Sequence, residues 1–303
     1  MAHCIQKSLS DFTTFLSSID ASDLPGWKNL LYKKIDSLAS QIESDPDRHI
    51  WEENFFQAFK IFDLGQIHKR ARHKPLGYAG DFLLIDWIYT EETTLSKRGR
   101  IFDLLFHQYD AAEAVRNRKR YFIEKCNQLS HDRSGPVHIL DIGCGSCRDV
   151  LETVQISGNG KNLDFHCIDQ EPQAIVYAEQ LLKPVRHHSR IHLECTNFFK
   201  LKSEYKYDLI WSGGVFDYLD NKTARITLKR LWRHLKEEGE IIFGNFSPEN
   251  PIRKGMELGC RWYLIHRTAN ELIDLCQSTG LPYKEIEIES EPLGINLFCR
   301  IRK

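Results

Sequence analysis

No uninterrupted apolar stretch in this chain approaches the ~20 residues of a membrane span, which argues against stable membrane insertion. Neither sign of charge is in excess: 41 basic against 42 acidic residues leave a formal net charge of −1. Nucleic-acid binding usually requires a basic face, so no nucleic-acid partner is expected. The opening residues, Met1 to Lys7, carry neither the basic nor the apolar region of a signal peptide. Internal repeats and low-complexity tracts are absent. There is one C-x-x-C and no second to complete a tetrahedral zinc site, so no metal is expected. Nine cysteines, an odd number scattered mostly through apolar segments, suit a reducing compartment better than a disulfide framework. A cytoplasmic location follows as the expectation.

What is present is an ordinary globular composition. The 303 residues, 42% hydrophobic and 27% charged, suffice for one large or two modest domains. Up to about residue 125 the apolar residues recur at helical spacing. Leu9, Phe12, Phe15, Leu16 and Ile19 predict one helix, and Trp27, Leu30, Leu31, Ile35, Leu38 and Ile42 a second. Ile50, Trp51, Phe55, Phe56, Phe59 and Phe62 predict a third. Phe82–Tyr89 and Ile101–Tyr109 read as short helices, and Ala111–Leu129 as a long one. The aromatics are read as the core of a helical cap. The division expected is a helical cap or substrate domain over residues 1–125 and an α/β domain over 126–303.

The most informative stretch is Val137-His-Ile-Leu-Asp-Ile-Gly-Cys-Gly-Ser-Cys-Arg-Asp149. An apolar strand ends on Asp141, Gly143 and Gly145 form a turn, and a helix begins near Arg148. Strand, glycine-rich turn and helix bring a nucleotide-like ligand against bare backbone, because a Cβ would block close approach. An acidic residue where a dinucleotide fold has its first glycine repels pyrophosphate and suits a cation. S-adenosylmethionine (SAM), with a sulfonium and an ammonium, is such a ligand. The loop resembles motif I of class I SAM-dependent methyltransferases. Cys144 and Cys147 form the alternative, a C-x-x-C in the setting of a thioredoxin-like redox site, but that reading leaves Asp141 unexplained.

Later segments agree with the resemblance. Leu163–Ile168 reads as a second strand ending on Asp169, whose carboxylate can accept the ribose hydroxyls. The separation from Asp141 exceeds the ~20 residues of dinucleotide folds, and the polar turn Ser157-Gly-Asn-Gly-Lys-Asn162 accounts for the excess. Ile191–Cys195 is a third strand. In the methyltransferase pattern it is followed by a polar side chain for adenine, here Asn197, and an apolar neighbour, here Phe198. Tyr207–Ser212 is a fourth strand and Gly239–Asn245 a fifth, with a helix over Thr223–Leu235 and a turn between. Asn270–Ser278 is a helix, and Tyr283–Glu289 and Ile295–Ile301 pair as a terminal hairpin. The resemblance implies a Rossmann-like doubly wound sheet of seven strands, the last antiparallel. It also implies Asp141, Gly143, Cys144, Gly145, Asp169, Gln170, Asn197, Phe198, Ser212 and Gly213 as cofactor contacts.

Further loops carry chemistry. Lys74-Pro-Leu-Gly-Tyr-Ala-Gly-Asp81 precedes a helix that Asp81 can cap, and is read as a lid with Tyr78 near the methionine end of the cofactor. The basic run Arg116-Asn-Arg-Lys-Arg120 is a solvated helix face or, through Arg116 or Arg118, a partner for a carboxylate. Arg116 is taken as a cofactor contact. Arg186-His-His-Ser-Arg190 reads as surface. Asp217 and Tyr218, after the fourth strand, are candidates for the methyl-transfer cavity, as is Asn245 after the fifth. The segment Met256–Thr268 reads as a substrate wall with Arg253 or Arg267 as an anion anchor.

Taken together, Gly77-Tyr-Ala-Gly-Asp81, Ala114-Val-Arg-Asn-Arg118, Gly214-Val-Phe-Asp-Tyr218, Asn245-Phe-Ser-Pro248 and Trp262-Tyr-Leu-Ile-His-Arg267 resemble one bacterial family. Its members are class I methyltransferases described as 3-hydroxypalmitic acid methyl ester biosynthesis proteins. His266 replaces an expected tyrosine and Cys147 an expected glycine. The resemblance implies methylation of a fatty-acid carboxylate, with SAM converted to S-adenosylhomocysteine. The catalytic set is then Asp217, Tyr218, Asn245 and Arg267. The partner is a small-molecule acceptor, and a homodimer is allowed. O- or N-methylation of another small metabolite is a second reading, and a non-catalytic SAM-binding regulatory protein a third.

Overall fold

The computed structural model describes residues 2–156, 162–187, 190–201 and 205–303. The expected turn at 157–161 and the pair His188 and Ser189 lie outside the described residues. The chain forms two compact units, Met1–Glu113 with Asn250–Tyr263, and Ala114–Glu249 with Leu264–Lys303.

The first unit is helical: α1 (Ala2–Ser18), α2 (Leu24–Glu43), α3 (Arg48–Ala58), α4 (Gln66–His73), α5 (Phe82–Thr90) and α6 (Lys97–His107). The aromatic stripe becomes its core. Phe12, Phe55, Phe59 and Phe62 are fully buried, and the rings of Phe55 and Phe59 stack 5.1 Å apart. Leu30 and Ile50, expected on the buried faces, are exposed. Leu31, Ile35, Leu38 and Ile42 make the inward stripe of α2, and Leu30 falls about 100° off it. The third predicted helix also stops early. It tightens into a 3₁₀ segment over Phe59–Leu64 ahead of α4, which sequence periodicity does not mark out. Asp81 caps α5 as expected, accepting the Leu84 N–H at 3.0 Å and the Arg70 Nε–H at 2.7 Å. Residues 250–263 belong here because Arg72 donates to the Gly259 carbonyl and Lys74 Nζ reaches the Arg261 carbonyl at 2.7 Å.

The second unit begins inside the long helix α7 (Asp110–Asp132), earlier than the expected boundary at 125/126. The reason is packing: Phe122 and Cys126 are fully buried in the core on one face of the sheet. The remaining elements are β1 (Val137–Ile142), α8 (Arg148–Ile156), β2 (Leu163–Asp169), α9 (Pro172–Leu181), β3 (Arg190–Cys195), β4 (Tyr207–Ser212), α10 (Asn221–Trp232), β5 (Leu235–Phe246), α11 (Ala269–Gln277), β6 (Glu285–Ser290) and β7 (Asn296–Arg302). They build a seven-stranded sheet in the order β3-β2-β1-β4-β5-β7-β6. Strands β1 to β5 are parallel, and β7 runs antiparallel between β5 and β6. The expected fold is therefore found. Leu235 opens β5 instead of ending the preceding helix, and it lies opposite Tyr207, with an irregular register between Tyr207 and Leu209.

The two faces of the sheet carry separate cores. Phe165, Cys167, Leu209 and Trp211 contribute to one, and Leu140, Ile210, Ile241 and Phe243 to the other. Alternate residues of each strand face opposite ways, which is why these strands read as continuous apolar runs. Strand order reverses between β1 and β4. A doubly wound sheet opens its ligand crevice there, at the strands' C-terminal ends.

Candidate functional site

At the end of β1 the chain turns through Gly143 (φ +67°) and Gly145 (φ +54°), then Cys147 (φ +54°). Gly143 is obligatory: a Cβ there would stand 2.5 Å from Val215 Cγ2. The N–H groups of Gly143 and Cys144 both donate to the Ile168 carbonyl, at 2.8 and 3.1 Å, tying the loop to β2. Cys147 occupies a left-handed conformation that non-glycine residues adopt at a cost. It is the position where the resemblance led us to expect glycine. Its thiol is pushed well above the ordinary value by hydrogen bonds with the Cys144 and Cys167 thiols and by burial. That opposes thiolate formation, and so the redox reading of Cys144 and Cys147.

Asp169, at the tip of β2, accepts the Gly145 N–H at 3.0 Å through Oδ2 and the Glu171 N–H at 2.9 Å through Oδ1. Its carboxylate is thereby oriented, with lone pairs left over for a ligand. Gln170 and Asn197 meet side chain to side chain, the Asn197 Nδ2 donating to Gln170 Oε1 at 2.9 Å. Asn197 Oδ1 accepts the Phe199 N–H at 2.9 Å, and Phe198 follows it, half-buried. Ser212 ends β4 and Gly213 begins the next turn. A Cβ on Gly214 would lie 2.9 Å from Arg118 Nη1.

The electrostatics are dominated by buried carboxylates. Burial, then the charges of Asp149 and Asp169, raise Asp141 well above the carboxylate range, against the pull of Arg118. Asp149 is pushed up to about 6, first by burial, with the Val150 N–H and Arg118 opposing. Asp169 is raised by burial. Arg118, on α7, donates to the Gly213 carbonyl at 3.0 Å. Asp149 is not among the residues expected in the site, and Arg118 is expected there only as an alternative to Arg116 in pairing with a carboxylate. Arg118 sits in a run that reads as a solvated face, and only packing on the sheet edge buries it. Arg116 is buried as well.

A SAM-type cofactor fits these residues. Asp141 Oδ2 and Ser212 Oγ are buried without a hydrogen-bond partner among the described residues, and they close the neighbouring strands β1 and β4. Buried polar atoms in a fold are ordinarily satisfied. Two orphans at the switch point, beside a loop in which Gly143 admits no Cβ, call for a polar ligand.

The expected catalytic residues come together differently from the expectation. Asp217 Oδ1 accepts the Phe246 N–H at 2.7 Å. Arg267 Nη1 donates to the Phe216 carbonyl at 3.0 Å and to Asn245 Oδ1 at 2.6 Å. Arg267 Nη2 and Nε donate to Asn221 Oδ1, at 2.9 and 3.1 Å, and Nη2 also to the Leu219 carbonyl. Asn245 Nδ2 donates to the Ile265 carbonyl at 2.8 Å. Arg267 is thus a buried clamp with its fork spent on protein acceptors, which corrects its reading as an anion anchor. Arg253 is likewise engaged, with Glu257 at 2.7 Å. Tyr218 remains exposed after β4, and Tyr78 is exposed in the helical unit.

Known proteins resemble this part of the chain. Residues 140–241 match the family described as methyltransferase domain. These residues form a methyltransferase domain. The matched span runs from the end of β1 into β5 and so includes the glycine loop, Asp169 and Ser212. The malonyl-[acyl-carrier protein] O-methyltransferase of Bacillus cytotoxicus is 25% identical over 156 residues, 52% of this chain and 50% of the relative. The chain thus spans about half the length of the curated relatives it matches. Among solved structures, a possible exported protein from Bordetella parapertussis superposes with a TM-score of 0.61 at 16% identity, over 99% of this chain and 96% of that one. The magnesium protoporphyrin IX methyltransferase of Synechocystis, solved with bound S-adenosylhomocysteine, gives 0.50 at 12% identity, over 64% of this chain and 87% of that one. At these identities the structural likeness concerns the fold.

Proposed function

We propose that the protein is a class I SAM-dependent methyltransferase that methylates the carboxylate of a small acyl acceptor, with a 3-hydroxy fatty acid as first candidate. The observation that carries the cofactor half is the group of carboxylates around the positive-φ loop, Asp141 and Asp149 buried and Asp169 half-buried, all raised by burial. Such a group repels phosphate and is relieved by a cation. Asp169 would hold the ribose hydroxyls, and Asn197 with Phe198 the adenine. Asp141 and Ser212 would supply polar contacts at the β1 and β4 ends. The cofactor would supply an electrophilic methyl group on a sulfonium.

The acceptor half rests on two supports. The motifs from Gly77 to Arg267 resemble the 3-hydroxypalmitic acid methyl ester family, and the bacterial relatives are named for O-methylation of an acyl substrate. A carboxylate acceptor is ionised at neutral pH and needs no general base. That agrees with the state of Asp217, Asn245 and Arg267, whose polar atoms are tied to one another and to backbone. They act as positioning residues that fix the β4 and β5 ends. What the chain contributes is alignment of reacting atoms at ~3–3.5 Å and exclusion of water.

Calorimetric titration with SAM and S-adenosylhomocysteine tests the cofactor half, with Asp169→Ala as control. Saturable binding that the variant loses is expected, and absence of binding to the intact protein would end this reading. Transfer of labelled methyl from SAM to 3-hydroxy fatty acids tests the acceptor. If SAM binds and no carboxylic acid accepts the label, the acceptor assignment falls while the cofactor assignment stands.

A further inference from the structure

We infer that His166, His192 and Glu194 form a binding site for one divalent transition-metal ion of the zinc, cobalt or nickel class, on the β2–β3 part of the sheet. Parallel pairing sets His166 directly opposite His192, and Glu194 follows two residues along β3. Side chains at i and i+2 of a strand, and at paired positions of neighbours, share one face. The sheet therefore presents two imidazoles and a carboxylate together, and their ligand atoms all lie within 4.8 Å of one another.

The spacing suits a metal. With bonds of ~2.0–2.2 Å, the ligand atoms of a tetrahedral zinc site stand roughly 3.3 Å apart. His166 Nε2 is already 3.0 Å from Glu194 Oε2, and the two imidazole centroids are 4.9 Å apart. His192 is exposed, so its ring can turn onto the ion, and the open side leaves room for entry and for a water ligand. A second partner fixes the first ligand: His166 Nδ1 meets the Tyr207 hydroxyl at 2.6 Å, which leaves Nε2 facing Glu194. Metal-binding histidines characteristically have their other ring nitrogen held in this way. A simple His166–Glu194 hydrogen bond would not require the second imidazole. On binding, His166 takes the tautomer that carries its single proton on Nδ1, donated to the Tyr207 hydroxyl oxygen, so the Nε2 lone pair goes to the ion and no net proton leaves the neutral ring. Two nitrogens and one oxygen favour zinc, cobalt or nickel over calcium or magnesium. The ion would pin the edge strand β3 to β2.

A second group, Asp141, Cys147 and Cys167, also brings its ligand atoms within 4.8 Å, but it is fully buried and sulfur-rich. It supplies the control. The protein, residues 1–303, is titrated with Co(II) alone and followed by absorption. One equivalent should bind with weak visible bands, no sulfur-to-cobalt charge-transfer band, and displacement by Zn(II). His192→Ala, on the surface, should weaken binding at least tenfold while the circular dichroism spectrum stays unchanged. Tyr207→Phe should weaken it roughly 10–100-fold, and Cys147→Ser should leave it unaltered. A sulfur charge-transfer band, full affinity in His192→Ala, or no stoichiometric binding would each overturn the assignment. None of these readouts depends on methyl transfer.

Discussion

The Asp169 carboxylate accepts the backbone N–H of Gly145 at 3.0 Å, joining the tip of β2 to the glycine loop after β1. One residue therefore orders the loop and presents the charge proposed to receive the ribose. Asp169→Ala removes both functions. Hydrogen bonds to a charged group contribute about 1.5–3 kcal/mol each, so SAM affinity is expected to fall roughly 100-fold. Asp169→Asn, which keeps an oxygen for Gly145, should lose less. Titration calorimetry of both variants checks this, and equal losses would contradict the double role.

Gly143→Ala meets two obstacles, a φ of +67° and Val215 Cγ2 at 2.5 Å from the new methyl. The backbone strain alone costs on the order of 1–3 kcal/mol. SAM binding should be abolished or nearly so. Adding Val215→Ala relieves the clash but not the dihedral, so the double variant should recover part of the affinity. Recovery to the parent value would mean that φ at this position is unimportant.

Asp217 is pushed up to about 7 by burial, against the opposing Phe246 N–H, Arg118 and Arg267. The folded state thus binds a proton that the unfolded chain, with a carboxyl near 3.8, has released. Its contribution to stability is full below pH 4 and is lost as pH rises towards 7. Asp217→Asn retains an acceptor for Phe246 and removes that dependence. Thermal melts across pH 4 to 8 should show the variant gaining a few degrees relative to the parent at the upper end. An identical pH profile in both proteins would contradict the raised value.

Arg267→Lys replaces a planar fork by a single ammonium. The contacts to Phe216, Leu219, Asn221 and Asn245 cannot all be kept, and buried acceptors left unmet cost about 1–3 kcal/mol each. A fall in melting temperature of several degrees is expected, with denaturant unfolding as a second measure. A stable variant that raised KM for the acceptor alone would restore the anion-anchor role.

The sheet was legible because its strands are buried on both faces and read as apolar runs bounded by glycine, asparagine and aspartate. The turn from Asp141 through Gly143 to Gly145 was legible because close backbone approach leaves few residue choices. The helical unit was readable as helices, but not the break at Phe59–Leu64 or the start of α4. There the hydrophobic spacing continues while the backbone tightens, and periodicity does not register that change.

By itself, then, the sequence determined the order of the strands, the place of the glycine loop, and the residues at each strand's C-terminal end. These are consequences of local dihedral limits and of apolar spacing. Only the tertiary structure decided what the polar side chains do. It buried Arg118 against Gly213, gathered Asp141, Asp149 and Asp169 into one field, and turned Arg267 from a candidate anchor into a clamp. It also set His166 beside His192, which are far apart in sequence and adjacent only through strand pairing. A charged residue has the same composition and spacing whether solvated, paired or catalytic. What separates those states is burial and partner geometry, and both exist only once the chain has folded.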